Sequence, residues 1–161
     1  MTLESTPVRR SHLARGATPA ELYAVVTDFD AYPRLFREMK SVTVQERVDR
    51  RIRVEFKLEM VVAIRYVIDL VCDPEAHTVD WTYVEGEVVT GSEGAWRFVP
   101  EQDGTRMDYR VAITIKAPLP GFVIRRMTDA LVSASLPSML ASVEAEAGRR
   151  RVATAEGKRA G

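Results

Sequence analysis

The 161-residue chain is poor in the side chains on which most enzyme and metal chemistry depends, with one cysteine, Cys72, and two histidines, His12 and His77. A single thiol excludes an intramolecular disulfide and a multi-thiolate metal site, and it fits a reducing compartment. Neither histidine stands at ligand spacing from Cys72 or from a carboxylate pair, so no zinc site and no cofactor are expected. Nucleophilic catalysis needs an activated serine, threonine or cysteine beside a base. His77 falls in the turn Pro74-Glu75-Ala76-His77-Thr78 and His12 on an early strand, positions that suit surface roles, and Cys72 ends a buried strand, where packing explains it. No sign of charge predominates, since 23 basic residues balance 23 acidic ones, which argues against a dedicated DNA or RNA binder. No apolar run reaches the roughly 18–20 residues of a membrane span, and the first residues lack the apolar stretch of a signal peptide. A soluble, cytoplasmic protein is expected. Gly86, Gly91 and Gly94 are not followed by the Lys-Ser or Lys-Thr of a phosphate loop; they read as turn and bulge glycines.

What is present is hydrophobic patterning, at 46% of residues enough for the core of one domain. Thr18-Pro19-Ala20-Glu21 has the composition of a helix start, with a capping hydroxyl, proline in the first turn and glutamate three residues beyond the cap. It predicts a helix from Pro19 to about Thr27, and Tyr32, Leu35, Phe36 and Met39 predict a second short one. Val8 to Arg15 reads as a strand. From Val42 to Lys116 the period becomes two, most plainly where Ile52, Val54, Phe56, Leu58 and Met60 alternate with Arg53, Glu55, Lys57 and Glu59. Short breakers separate about six such strands, so neighbours should pair antiparallel. Arg65, Asp69 and Arg97 then fall on the solvated face. After Pro118-Leu119-Pro120-Gly121 the helical period returns and runs to about Ala147, changing phase at Pro137, where a kink is expected. Residues 148–161 carry five basic residues and one acidic one without an apolar period, and read as a disordered basic tail outside the 1–147 domain.

Strand, two short helices, a run of antiparallel strands and a long terminal helix make an α+β layout. The chain resembles the START-like or SRPBCC superfamily, in its polyketide cyclase and coenzyme Q-binding branch. The likeness rests on Ala17-Thr18-Pro19-Ala20-Glu21-Leu22-Tyr23, Thr27-Asp28-Phe29-Asp30-Ala31-Tyr32-Pro33-Arg34-Leu35-Phe36, Gly94-Ala95-Trp96-Arg97-Phe98-Val99-Pro100 and Gly104-Thr105-Arg106-Met107. It covers roughly residues 7–147, with Asp-Phe-Asp-Ala-Tyr-Pro the most specific segment. The resemblance implies a helix-grip fold, a curved antiparallel sheet of about seven strands around the C-terminal helix, and an apolar cavity between them that holds lipids, quinones or polyketides in relatives.

An apolar sheet face and helix stripe describe a filled core as well as a hollow one. The tipping feature is that Tyr66, Trp81, Tyr83, Trp96 and Tyr109 share the inward strand face, where each polar tip needs a partner. Tyr32, Phe56, Ile64, Ile68, Leu70 and Phe98 complete the expected lining, and Phe36, Met39, Phe122 and Met127 are expected to close its mouth. Cyclase relatives steer substrate with inward arginines and a tyrosine; here Met39, Leu70 and Tyr83 stand at those positions, leaving Tyr83 and Tyr109 as the candidate catalytic groups. The first expectation is noncatalytic binding of a hydrophobic small molecule such as a lipid, isoprenoid quinone or aromatic polyketide. The alternatives are a cyclase or dehydratase, and a ribosome-interacting module. The 148–161 tail is a candidate for weak contact with anionic membrane or RNA.

Overall fold

Thr18 starts the first helix by the predicted chemistry. In the computed structural model, which describes residues 2–4 and 7–160, the Glu21 N–H donates to the Thr18 hydroxyl at 3.2 Å and the Thr18 N–H donates to the Glu21 carboxylate at 2.8 Å. This reciprocal cap opens α1 (Pro19–Val26), which buries Leu22, Val25 and Val26. A 3-10 turn (Phe29–Ala31) and the single-turn α2 (Tyr32–Leu35) follow. The buried Tyr32 hydroxyl donates to the Val26 carbonyl, one of the acceptors left free at the end of α1, and so ties the two short helices together.

The strands are β1 (Thr2–Glu4), β2 (Val8–Arg15), β3 (Met39–Val48), β4 (Arg51–Glu59), β5 (Ala63–Asp73), β6 (Thr78–Glu87), β7 (Val89–Glu101) and β8 (Gly104–Lys116). They form one antiparallel sheet in the order β1-β8-β7-β6-β5-β4-β3, with β2 also paired to β8. β1 and β2 therefore serve as one interrupted edge strand, and the sheet has the seven-strand plan expected. In β4, Ile52, Val54 and Phe56 are buried between Arg53, Glu55 and Lys57. The solvated face is laced by Arg53 with Asp69 and Arg65 with Glu55, at 2.8 and 2.7 Å. Isolated pairs of this kind stabilise little, but they confirm which way the strands face.

The long helix runs as α3 (Gly121–Ala130), a π-helical turn (Leu131–Ser135) and α4 (Leu136–Ala160). Pro137 offers no N–H and its ring crowds the carbonyl four residues earlier, so the expected kink is realised as an inserted residue and not as a break. The π turn rotates the buried set from Ile124 and Met127 to Leu136, Leu140, Val143 and Ala147, and both sets face the sheet.

The end of the chain differs from the expected disordered tail: α4 continues to Ala160. Arg149 and Arg150 pair with the buried Glu146, Arg150 also with Asp28, and Arg151 with Glu21 at the start of α1. Three arginines expected to be available to anionic lipid or RNA are thus held intramolecularly. Beyond Arg151 the described side chains are exposed.

Candidate functional site

Between the concave sheet and the long helix lies a cavity of about 170 Å³. Tyr32, Phe36 and Met39 line it from α2 and the start of β3, and Phe56, Ile64, Tyr66, Ile68 and Leu70 from β4 and β5. Trp81, Trp96 and Tyr109 contribute from β6, β7 and β8, and Met127 from α3. Exposed Arg37 and Ser138 also border the cavity and mark its mouth, between the α2–β3 connection and the π turn. There the Ser135 hydroxyl donates to the Glu38 carboxylate at 3.1 Å across the opening.

Three expected lining residues are elsewhere. Tyr83 pairs with Ile68 in phase with Trp81, but its hydroxyl donates to the carbonyls of Val89 and Gly86 at 3.2 and 3.4 Å, so its polar tip is held at the β6–β7 connection, beside the small cluster of Ile64, Val89 and Met127. Phe98 packs in the main core, stacked on Trp96 at 5.8 Å. Phe122 is exposed at the outer side of the first turn of α3, with the Arg126 guanidinium 6.0 Å from its ring centre, because Ile124 and Met127 take the inward positions. Tyr83, one of the two candidate catalytic groups, does not border the cavity.

Gly86 and Gly94, read as turn and bulge glycines, lie within β6 and β7 opposite inward aromatics. Gly94 pairs with Trp81, and a β-carbon there would collide with the Trp81 indole and the Arg110 carbonyl. Gly86 pairs with Tyr66, and a β-carbon there would strike the Tyr66 Cβ. Each glycine leaves the space over which a cavity aromatic settles. The Trp81 Nε1–H consequently reaches the Ser92 hydroxyl at 3.3 Å, and Tyr109 stands between the two indoles, 5.6 Å from Trp81 and 4.7 Å from Trp96.

Apolar periodicity does not reveal the polar part of the lining: Ser92, Arg37, Glu38, Ser135, Ser138 and Ser142. Ser135, Ser138 and Ser142 recur at helical spacing, and that polar period is the signal that could have found them. Glu146 likewise carries no sequence signal of its burial. It is 4% exposed and accepts from Arg34 at 2.6 and 3.2 Å, from Arg149 at 3.0 Å and from Arg150 at 3.1 Å.

Electrostatically the cavity is a neutral enclosure. Burial raises the phenol of Tyr66 to about 12 and raises those of Tyr32 and Tyr109 well above the ordinary value, the latter two also under the influence of neighbouring phenols. All three remain protonated near neutral pH. Burial likewise pushes the Cys72 thiol up to about 11, which leaves it inert. Among the described residues no cluster of three or more histidine, cysteine, aspartate or glutamate side chains could hold a metal ion. Among them, too, no helix is long and apolar enough to cross a membrane.

The profile of the family described as polyketide cyclase / dehydrase and lipid transport matches residues 16–139. No curated protein sequence matches the chain. Among solved structures, TTHA0849 from Thermus thermophilus superposes with a TM-score of 0.79 at 23% identity, covering 90% of this chain and 99% of its own. The Zhui aromatase/cyclase from a Streptomyces species gives 0.77 at 17% identity, with 93% and 96% covered. A START superfamily protein from Mycobacterium smegmatis gives 0.72 at 17% identity, with 90% and 99% covered. At these identities the structures establish the shared helix-grip fold. The matched profile spans most of the chain, from the end of β2 to the start of α4, and with the sheet-and-helix cavity it identifies the chain as a member of the polyketide cyclase / dehydrase and lipid transport family.

Proposed function

We propose that the protein binds a hydrophobic small molecule, of the lipid, isoprenoid quinone or aromatic polyketide kind, and does not transform it. The observation that carries this reading is an apolar cavity whose inner polar groups are neutral donors. General acid–base catalysis works best with a group titrating near the working pH. The phenols of Tyr66 and Tyr109 are held far above that range by burial. Arg37 and Glu38 border the cavity at its mouth, and Glu38 is engaged by Ser135. The arginines of the strands, Arg53, Arg65 and Arg97, point outward into ion pairs. Affinity then comes from burying ligand apolar surface, at roughly 25 cal/mol per Å².

Both tryptophans of the chain line the cavity, so intrinsic fluorescence reports directly on an occupant. Titration with menadione and with a fatty acid is expected to give saturable quenching or a shift in emission for at least one, with a stoichiometry of one. A linear response throughout, as in collisional quenching, would contradict the reading. Conversion of the bound probe would move the protein to the cyclase side of its family.

A further inference from the structure

Three aromatic donors of the cavity wall have no acceptor among the described residues. The hydroxyls of Tyr66 and Tyr109 and the indole N–H of Trp96 make no hydrogen bond among the described residues, although all three side chains line the cavity. Among the described residues no fully enclosed polar side-chain atom lacks a partner, so these three atoms retain accessible surface, and all three side chains border the cavity. Ser92 adds a fourth group: its oxygen accepts from the Trp81 Nε1–H, which leaves its own proton to turn elsewhere. A phenol can donate or accept, but an indole nitrogen only donates, and this breaks the symmetry in favour of an acceptor.

We infer that Tyr66, Tyr109 and Trp96 form a subsite for the carbonyl-type oxygen of an uncharged, otherwise apolar ligand such as a ketone or quinone. This rests on the binding function proposed above and adds the chemical class of the ligand. An anion is disfavoured there, since Arg37 at the mouth is the cation among the lining residues and lies at the opening, not beside the phenols. A bare hydrocarbon fills the same space but leaves desolvated donors unpaired, which weakens its binding relative to a ketone of the same shape.

Fluorenone and fluorene provide that comparison, one planar tricycle with and without a carbonyl. Their affinities are measured on the full chain by tryptophan fluorescence for the wild type, Tyr66→Phe, Tyr109→Phe and the double variant. Because neither hydroxyl bonds to any of the described residues, both substitutions should leave the thermal melting point in place. Fluorenone is expected to bind the wild type about tenfold or more tightly than fluorene, and the ratio should approach one in the double variant while fluorene affinity stays level or rises. The infrared carbonyl stretch of bound fluorenone should lie below its value in dry hydrocarbon, and move back toward it in the double variant. Equal affinities in the wild type, or a ratio unaffected by both substitutions, overturn the subsite and leave the binding function standing. Failure of both probes to bind overturns the two together.

Discussion

Gly94→Ala is expected to destabilise the protein by about 3 kcal/mol or more, the upper range for overpacking a close-packed site. The residue is small by necessity, not for backbone freedom. Gly94 lies in mid-strand between Trp81 on β6 and Val111 on β8. An added β-carbon would overlap both a side chain, the Trp81 indole, and a main-chain atom, the Arg110 carbonyl oxygen. The indole could swing aside, but only by leaving Ser92 and entering the cavity; the carbonyl belongs to the β7–β8 ladder and has no room to yield. Urea melts should show the loss, and tryptophan emission of whatever folded fraction remains should shift as Trp81 is displaced. A second substitution, Trp81→Leu, relieves only the first collision and should restore only part of the stability. Wild-type stability in Gly94→Ala would show that Trp81 does not rest where the glycine makes room for it.

The second large effect concerns the acid limb of stability. Hydrogen bonding from Arg34, followed by Arg150 and Arg149, holds the Glu146 carboxyl down at about 2 against an ordinary 4.5, despite burial acting in the opposite direction. A group whose folded value is depressed stabilises the fold above its unfolded value, and that contribution is lost as pH falls from about 4.5 toward 2. With allowance for the exposure of Arg34 and Arg149, the contribution is on the order of 2 kcal/mol at neutral pH. Glu146→Gln should therefore lose about that much at pH 7 and flatten the dependence between pH 4.5 and 2 in urea melts. Parallel wild-type and variant curves across that window would contradict the assignment. Arg34 precedes Leu35 and Phe36, both in the cavity lining, so the same cluster anchors one lip of the mouth to α4.

Local signals account for much of this architecture. The reciprocal cap at Thr18 and Glu21, the alternation from Ile52 to Met60 and the phase change at Pro137 are written in near neighbours, and each appears where those neighbours require. Features that depend on distant partners were not legible. Counting in twos places Tyr83 inward, and it does lie opposite Ile68, but its hydroxyl is taken by the carbonyls of Val89 and Gly86, which no local pattern announces. Gly94 acquires its meaning only when Trp81 is laid across it. The arginines of the end of the chain look like a free basic tail until Asp28 and Glu21, 122 and 130 residues away, are brought beside Arg150 and Arg151. In the cavity, the aromatic and aliphatic wall was readable because apolar side chains advertise burial by period. Its serine face and acid–base rim were not, because polar residues at a mouth follow the same spacing as a solvated helix surface.

Whether the long helix covers a space able to receive an apolar guest is read out by methyl-resolved NMR during a fluorenone titration. Chemical-shift changes and ligand contacts are expected at Ile64, Ile68, Leu70, Ile113, Met127 and Met139, which line the cavity, with exposed Val48, Val71 and Val152 unmoved. Shifts confined to the outer surface, at Val61 or around Phe122, or no saturable change at the cavity methyls with this or the menadione and fatty-acid probes, would contradict such a space.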